Sequence, residues 1–169
     1  MRLFRVPRAR ATPPNPLTKP GGHLEAIRVL ALCLFSRDGK VLGAKGVDTS
    51  KDEVFFRPFG GGVEFGESAE LALRREIREE LGKEIVDIKL MGVVENLYTF
   101  EKKQGHEIVF VFDAGFEDEQ VYAAGVVHGI EERKKSVLEG HWVPIDDVVA
   151  GKIKLYPALI GPLLAQLRP

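Results

Sequence analysis

Between Gly61 and Gly82 the chain reads GGVEFGESAELALRREIREELG, and Glu76, Glu79 and Glu80 in that run are spaced i, i+3 and i+4. At ~100° per residue these positions fall within roughly a third of a helix circumference, so their carboxylates share one side. Like charges held this close repel one another. Hard divalent cations take all-oxygen coordination and use carboxylates as their usual protein ligands, so a bound Mg²⁺ would turn that repulsion into binding. The bland reading is a solvated helix face stitched by Arg and Glu pairs, which is what most charge runs are.

The elements around the acids argue for the first reading. Gly60, Gly61 and Gly62 make a turn with unusual backbone freedom, and Glu64 and Glu67 precede Ser68, a helix N-cap, while Gly82 supplies the C-terminal stop. The helix runs over 69–81, with Leu73, Ile77 and Leu81 grouped away from the carboxylate arc, so one side docks on a sheet and the other faces a cleft. Before it, the sequence predicts a strand over 25–35, an Asp38-Gly39 hairpin turn, a second strand over 41–45, and a short segment over 54–59 leading into the glycines. After it come strands over 88–100 and 107–116 joined by a polar turn over 101–105, a weaker strand over 121–127, a sheet end at Trp142 to Pro144, a short helix over 146–150, and a C-terminal helix over 157–167 interrupted near Gly161-Pro162. Strands interspersed with few helices indicate α+β or a mixed α/β/α sandwich.

Set against the pattern G-x5-E-x7-R-E-U-x-E-E-x-G-U, with U apolar, Gly61, Glu67, Arg75, Glu76, Ile77, Glu79, Glu80 and Gly82 all match. The stretch resembles the signature of the Nudix hydrolases. One position departs: Lys83 stands where the family has an aliphatic residue, and Ile85 is the neighbour available to take over its packing. The resemblance implies a mixed sheet between helices and cleavage of a nucleoside diphosphate linked to another moiety X, with Mg²⁺ or Mn²⁺ as cofactor. It places the metal ligands at Glu76, Glu79 and Glu80. Arg75 flanks the arc, where its fork can orient a carboxylate or bridge to Glu67. Gly61 and Gly62 let the backbone approach the substrate or the catalytic helix.

The general base is left open between a box glutamate and an acid on a later loop, with Glu131, Glu132 and Glu139 as candidates. Glu95, Asn96, His106 and Glu107 are polar residues in or beside apolar strand segments, and of these Glu95 and His106 are expected to contact substrate. Tyr98 hints at dinucleoside polyphosphates at a spacing slightly too short, and Phe55, Phe56 and Phe59 are either base-stacking groups or core. Other readings are a Nudix-fold binding or regulatory module without catalysis, against which the retained carboxylates count, and an isomerase related to isopentenyl diphosphate isomerase, for which Cys33 in an apolar run is poorly placed.

A chain of 169 residues with 44% hydrophobic content supports one domain, expected over 24–169. Residues 1–23 hold Pro7, Pro13, Pro14, Pro16 and Pro20 and several arginines but no acid, and read as a flexible tail, with Leu3 to Val6 available as an edge strand. With 24 basic against 25 acidic residues, nothing global points to nucleic acid or an anionic membrane. The single cysteine excludes an internal disulfide. No apolar run reaches the ~20 residues of a membrane span and no signal core follows the N-terminus, so a cytoplasmic location is expected. The expected partner is a small nucleoside diphosphate derivative, and the apolar C-terminal segment or the tail offers a surface for a homodimer.

Overall fold

The helix that carries the glutamates, α1 (Ala69–Leu81), spans the expected residues. The Ser68 side chain accepts the Leu71 amide at 3.3 Å, and Gly82 closes the helix with φ 63°, its amide donating to the Arg78 carbonyl. Ala72, Leu73, Ile77 and Leu81 are its buried residues, so the apolar stripe faces inward and the carboxylates flank it. The structure, a computed structural model, describes residues 26–131 and 136–167, without the side chain of Glu131. The tail over 1–23 and the edge strand at Leu3 to Val6 lie outside these residues.

Among the described residues nine strands complete the framework: β1 (Arg28–Cys33), β2 (Ser36–Arg37), β3 (Lys40–Asp48), β4 (Glu53–Arg57), β5 (Phe59–Gly62), β6 (Ile85–Phe100), β7 (Lys103–Phe116), β8 (Val126–Glu131) and β9 (Ser136–Pro144). They form two sheets, one ordered β5-β1-β7-β6 and the other β2-β3-β9-β8 with β4 added to β3. In the first sheet β1 and β7 run parallel while β1–β5 and β6–β7 are antiparallel, which makes that sheet mixed. Asp38 and Gly39, at φ 49° and 69°, form the hairpin turn between β2 and β3.

Alternation along β1 separates two cores. Ala31 and Cys33 join Phe112, Phe116, Leu73 and Ile77 on the α1 side. Leu30 and Leu32 join Val109, Val111, Val143, Ile145, Ile160 and Leu164 on the other. The strands are thus covered on one face by α1 and on the opposite face by the C-terminal elements, among them α3 (Ile145–Val149) and α4 (Gly161–Leu164), which gives the α/β/α layering of an α+β fold.

Three local expectations are corrected. Residues 121–127 are not a strand: α2 (Gln120–Ala123) comes first and β8 starts at Val126. The Asp118 carboxylate accepts the Gln120 amide at 3.0 Å, which starts a turn where propensity alone favoured extension. The C-terminal helix breaks into the four residues of α4 between 3₁₀ turns at Ala158–Ile160 and Ala165–Leu167. The hairpin after β6 tightens to Glu101 and Lys102, at φ 48° and 62°, so β7 begins earlier than expected and its first residues pair with the end of β6.

Candidate active site

Arg75 is the hub of the site. Its guanidinium donates to Glu67 Oε1 at 2.7 Å, to Glu76 Oε1 and Glu79 Oε2 at 3.0 Å each, and to the Gly62 carbonyl at 2.8 Å. One side chain thereby ties α1, the loop before it and β5 together. The expected Arg75–Glu67 bridge is present and strong: hydrogen bonding from Arg75 is the main reason the Glu67 carboxyl is held below the usual carboxylate range, and Glu67 in turn raises Arg75. Glu67 also accepts the Glu64 amide at 2.8 Å, which fixes the loop against the arginine.

Glycines set the distance between β5 and α1. A Cβ at Gly61 would stand 2.3 Å from Glu76 Cδ, so the carboxylate occupies the space a side chain would take. Gly60 adopts φ 123°, and a Cβ there would meet the Ala31 carbonyl oxygen at 2.2 Å. The Gly60 amide donates to Glu80 Oε2 at 3.3 Å. A Cβ on Gly62 meets nothing, and this residue serves through its carbonyl. Gly129 of β8 lies so close to α1 that a Cβ would be 2.5 Å from the Glu80 carbonyl oxygen, a contact with no signal in the local sequence.

Glu76, Glu79 and Glu80 therefore sit along one edge of α1, with Glu76 and Glu80 turned to the glycine strand and Glu79 more open to solvent. All donors are carboxylate oxygens, the set a hard divalent cation takes. Among the described residues no group of three His, Cys, Asp or Glu side chains is gathered as it stands to hold a metal ion. The physical reason is at hand, because Arg75 spreads Glu76 and Glu79 over its own fork. The residues fit such an ion in kind, and rotation of these side chains would be needed to gather them around it.

Glu95 and His106 hydrogen-bond to each other at 2.9 Å. Strand register locates them. The row Gly61, Ala31, Phe110, Val93 crosses the first sheet beneath Glu76, and the next row on the same face is Val29, Ile108, Glu95, followed by His106 and Leu97. Val93 and Leu97 are exposed, Leu97 at 71%, so Glu95 and His106 sit at the end of an open apolar shelf. At about 4.8 Å per strand, three spacings put Glu95 of β6 roughly 14 Å from the glycine strand and two put His106 of β7 roughly 10 Å from it across the sheet, with a further offset along the strands. They are too far to share one phosphate with Glu76 and near enough to meet the other end of an elongated ligand.

Other candidates fall elsewhere. Tyr98 and Glu107 project to the opposite face of the sheet, where Glu107 is buried and bonded to Arg28, to Asn96 Nδ2 at 2.9 Å and to the Tyr98 hydroxyl at 3.2 Å. Glu107 and Asn96 are thus tied up in a structural network, and Tyr98 is not part of the shelf. Phe59 is core, Phe56 packs with the second core, and Phe55 meets Phe100 and Tyr156, so packing accounts for all three. Glu139 is on the side of β9 away from Leu138 and Trp142, which pack toward α1. Glu132 and the side chain of Glu131 lie outside the described residues. Cys33 is fully buried, and burial raises its thiol well above the ordinary range, which removes it from any chemistry near the glutamates. Lys83, the departure from the pattern, pairs with Asp118 at 2.7 Å, while Ile85 is buried at 2% exposure in the core beside α1.

Comparison with known proteins agrees with this geometry. The NUDIX domain model matches residues 24–166. The chain belongs to the NUDIX family, and it is an enzyme of the Nudix hydrolase type. Similar solved structures include the MutT NUDIX hydrolase from Burkholderia pseudomallei, with TM-score 0.60 at 23% identity over 85% of this chain and 100% of that one. A NUDIX hydrolase from Nitrosomonas europaea gives TM-score 0.58 at 18% identity, covering 84% of this chain and 90% of that one. An ADP compounds hydrolase gives 0.54 at 14% identity over 85% and 74%. These likenesses show the fold. No curated protein sequence matches the chain significantly. No helix among the described residues is long and apolar enough to cross a membrane.

Proposed function

We propose that the protein hydrolyses a phosphoanhydride bond in a nucleoside diphosphate linked to a second moiety, by attack of water at phosphorus, using Mg²⁺ or Mn²⁺ held by Glu76, Glu79 and Glu80. The observation that supports this most directly is the carboxylate edge of α1 lying against Gly60 and Gly61, with Arg75 holding Glu67, Glu76 and Glu79 in one array. When bound, a divalent cation neutralises phosphate charge and lowers the pKa of a coordinated water. The chain's own residues do the rest. Arg75 orients Glu76 and Glu79, Gly61 gives Glu76 its place, and the Gly62 carbonyl anchors the arginine fork.

Glu95 and His106 are assigned to the far end of the substrate. Their place two and three strands from the glycine strand, roughly 10 and 14 Å across the sheet, suits a molecule with a diphosphate at one end and a polar group at the other, lying over Val29, Ile108 and Val93. An ADP compound is one substrate class of this shape, as in the name of one structural relative.

The experiment is release of nucleoside monophosphate from a panel of nucleoside triphosphates, sugar nucleotides, ADP-ribose and dinucleoside polyphosphates, with Mg²⁺, with Mn²⁺, and with a chelator. Turnover of at least one diphosphate-linked nucleotide that the chelator abolishes is the expected result. A panel that stays silent with metal while a nucleotide still binds contradicts catalysis and favours a binding module.

A further inference from the structure

We propose that Arg57, at the end of β4, is the cation that receives the phosphates of the substrate, an assignment that rests on the hydrolytic reading above. Arg57 pairs across β3 with Ala44, which packs against the core on the α1 side, so the arginine projects on the face that carries the glutamates. Pro58 then turns the chain into β5. The Arg57 guanidinium reaches the Gly60 carbonyl at 3.5 Å, and the amide of that same glycine donates to Glu80. A positive group thus stands one residue's width from the carboxylate edge.

Two features separate it from the other arginine at the site. Arg75 is committed: it holds Glu67, Glu76 and Glu79, and turning it to a phosphate would leave those carboxylates uncompensated. Arg57 is exposed, forms no ion pair among the described residues, and is held only by a carbonyl contact at the outer limit of hydrogen bonding. Exchanging that contact for a phosphate oxygen costs little and gains a charge-assisted pair that the guanidinium fork makes in two bonds. The charge at that edge favours such a group. Glu67, Glu76 and Glu79 already share Arg75, and a diphosphate brings further negative charge to that edge of α1.

The test compares Arg57→Ala and Arg57→Lys with the unaltered protein on whichever panel substrate it hydrolyses, and measures calorimetric binding of α,β-methylene ADP with Mg²⁺. We expect Arg57→Ala to raise KM and the Kd of the analogue by ~10-fold or more at unchanged melting temperature, with Arg57→Lys recovering part of the loss because charge returns without the fork. An active protein whose Arg57→Ala variant keeps KM and Kd overturns the assignment and leaves the hydrolytic reading standing. A parent protein that neither hydrolyses the panel nor binds the analogue overturns both.

Discussion

The Glu76 carboxylate rests against Gly61 so closely that a Cβ at position 61 would lie 2.3 to 2.5 Å from its carboxyl atoms. Position 61 is therefore a fixed seat for one candidate metal ligand. The obstructed atoms are the end of a flexible side chain, so Gly61→Ala displaces Glu76 and leaves the backbone in place. Turnover is expected to fall at least ~10-fold while stability in urea changes by less than about 1 kcal/mol. Gly60→Ala behaves differently. Its φ of 123° and the Ala31 carbonyl at 2.2 Å both oppose a side chain, and a loss of about 2–4 kcal/mol is expected. Equal stability losses in the two variants would contradict this division.

Arg75 gives the site a pH signature. Because its hydrogen bonds are the main cause of the lowered Glu67 pKa, that carboxyl contributes stability that is present above the unfolded carboxylate range, about pH 4.3, and is lost as pH falls through the lower folded value. Arg75→Ala is expected to lower stability at pH 7, since it leaves Glu67 and Glu76 without their cation. The difference between the variant and the parent should shrink as the pH is lowered below the carboxylate range. Denaturant melts at a series of pH values check this, and a pH-independent difference would contradict it.

The Glu95–His106 pair is assigned to the distal end of the substrate, so its loss should act on binding. His106→Ala is expected to raise KM by ~3–10-fold with kcat within about twofold, because a contact made equally in ground and transition states changes KM alone. A fall in kcat with unchanged KM would move His106 to the reacting phosphate, against the strand spacing.

Much of this was legible from residue order, and what was not has a common physical origin. The span of α1, its Ser68 and Gly82 caps, its apolar stripe and the Arg75–Glu67 link all depend on spacings within a few residues, and the sequence carries them openly. Pairing between distant strands is different. Nothing local tells that β1 runs parallel to β7, that the strands divide into two sheets, or that Tyr98 turns from the shelf while Leu97 stays on it. A shift of one residue in register would exchange those faces. Gly129 is of the same kind: an ordinary glycine in sequence, it lets β8 approach the end of α1. Residues 121–127 misled because Val and Tyr favour strands, and the Asp118 side chain with tertiary packing of Val121 decided otherwise.

The central claim is that the carboxylate edge of α1 binds the divalent cation on which hydrolysis depends. Steady-state release of nucleoside monophosphate by the unaltered protein and by Glu79→Gln and Glu80→Gln, at saturating Mg²⁺ or Mn²⁺, tests it most directly, with the melting temperature followed as the cation is titrated. We predict turnover lower by at least ~100-fold in each variant, and a cation-induced rise in melting temperature that the parent shows and the variants lose. Unchanged turnover in both variants would contradict the account.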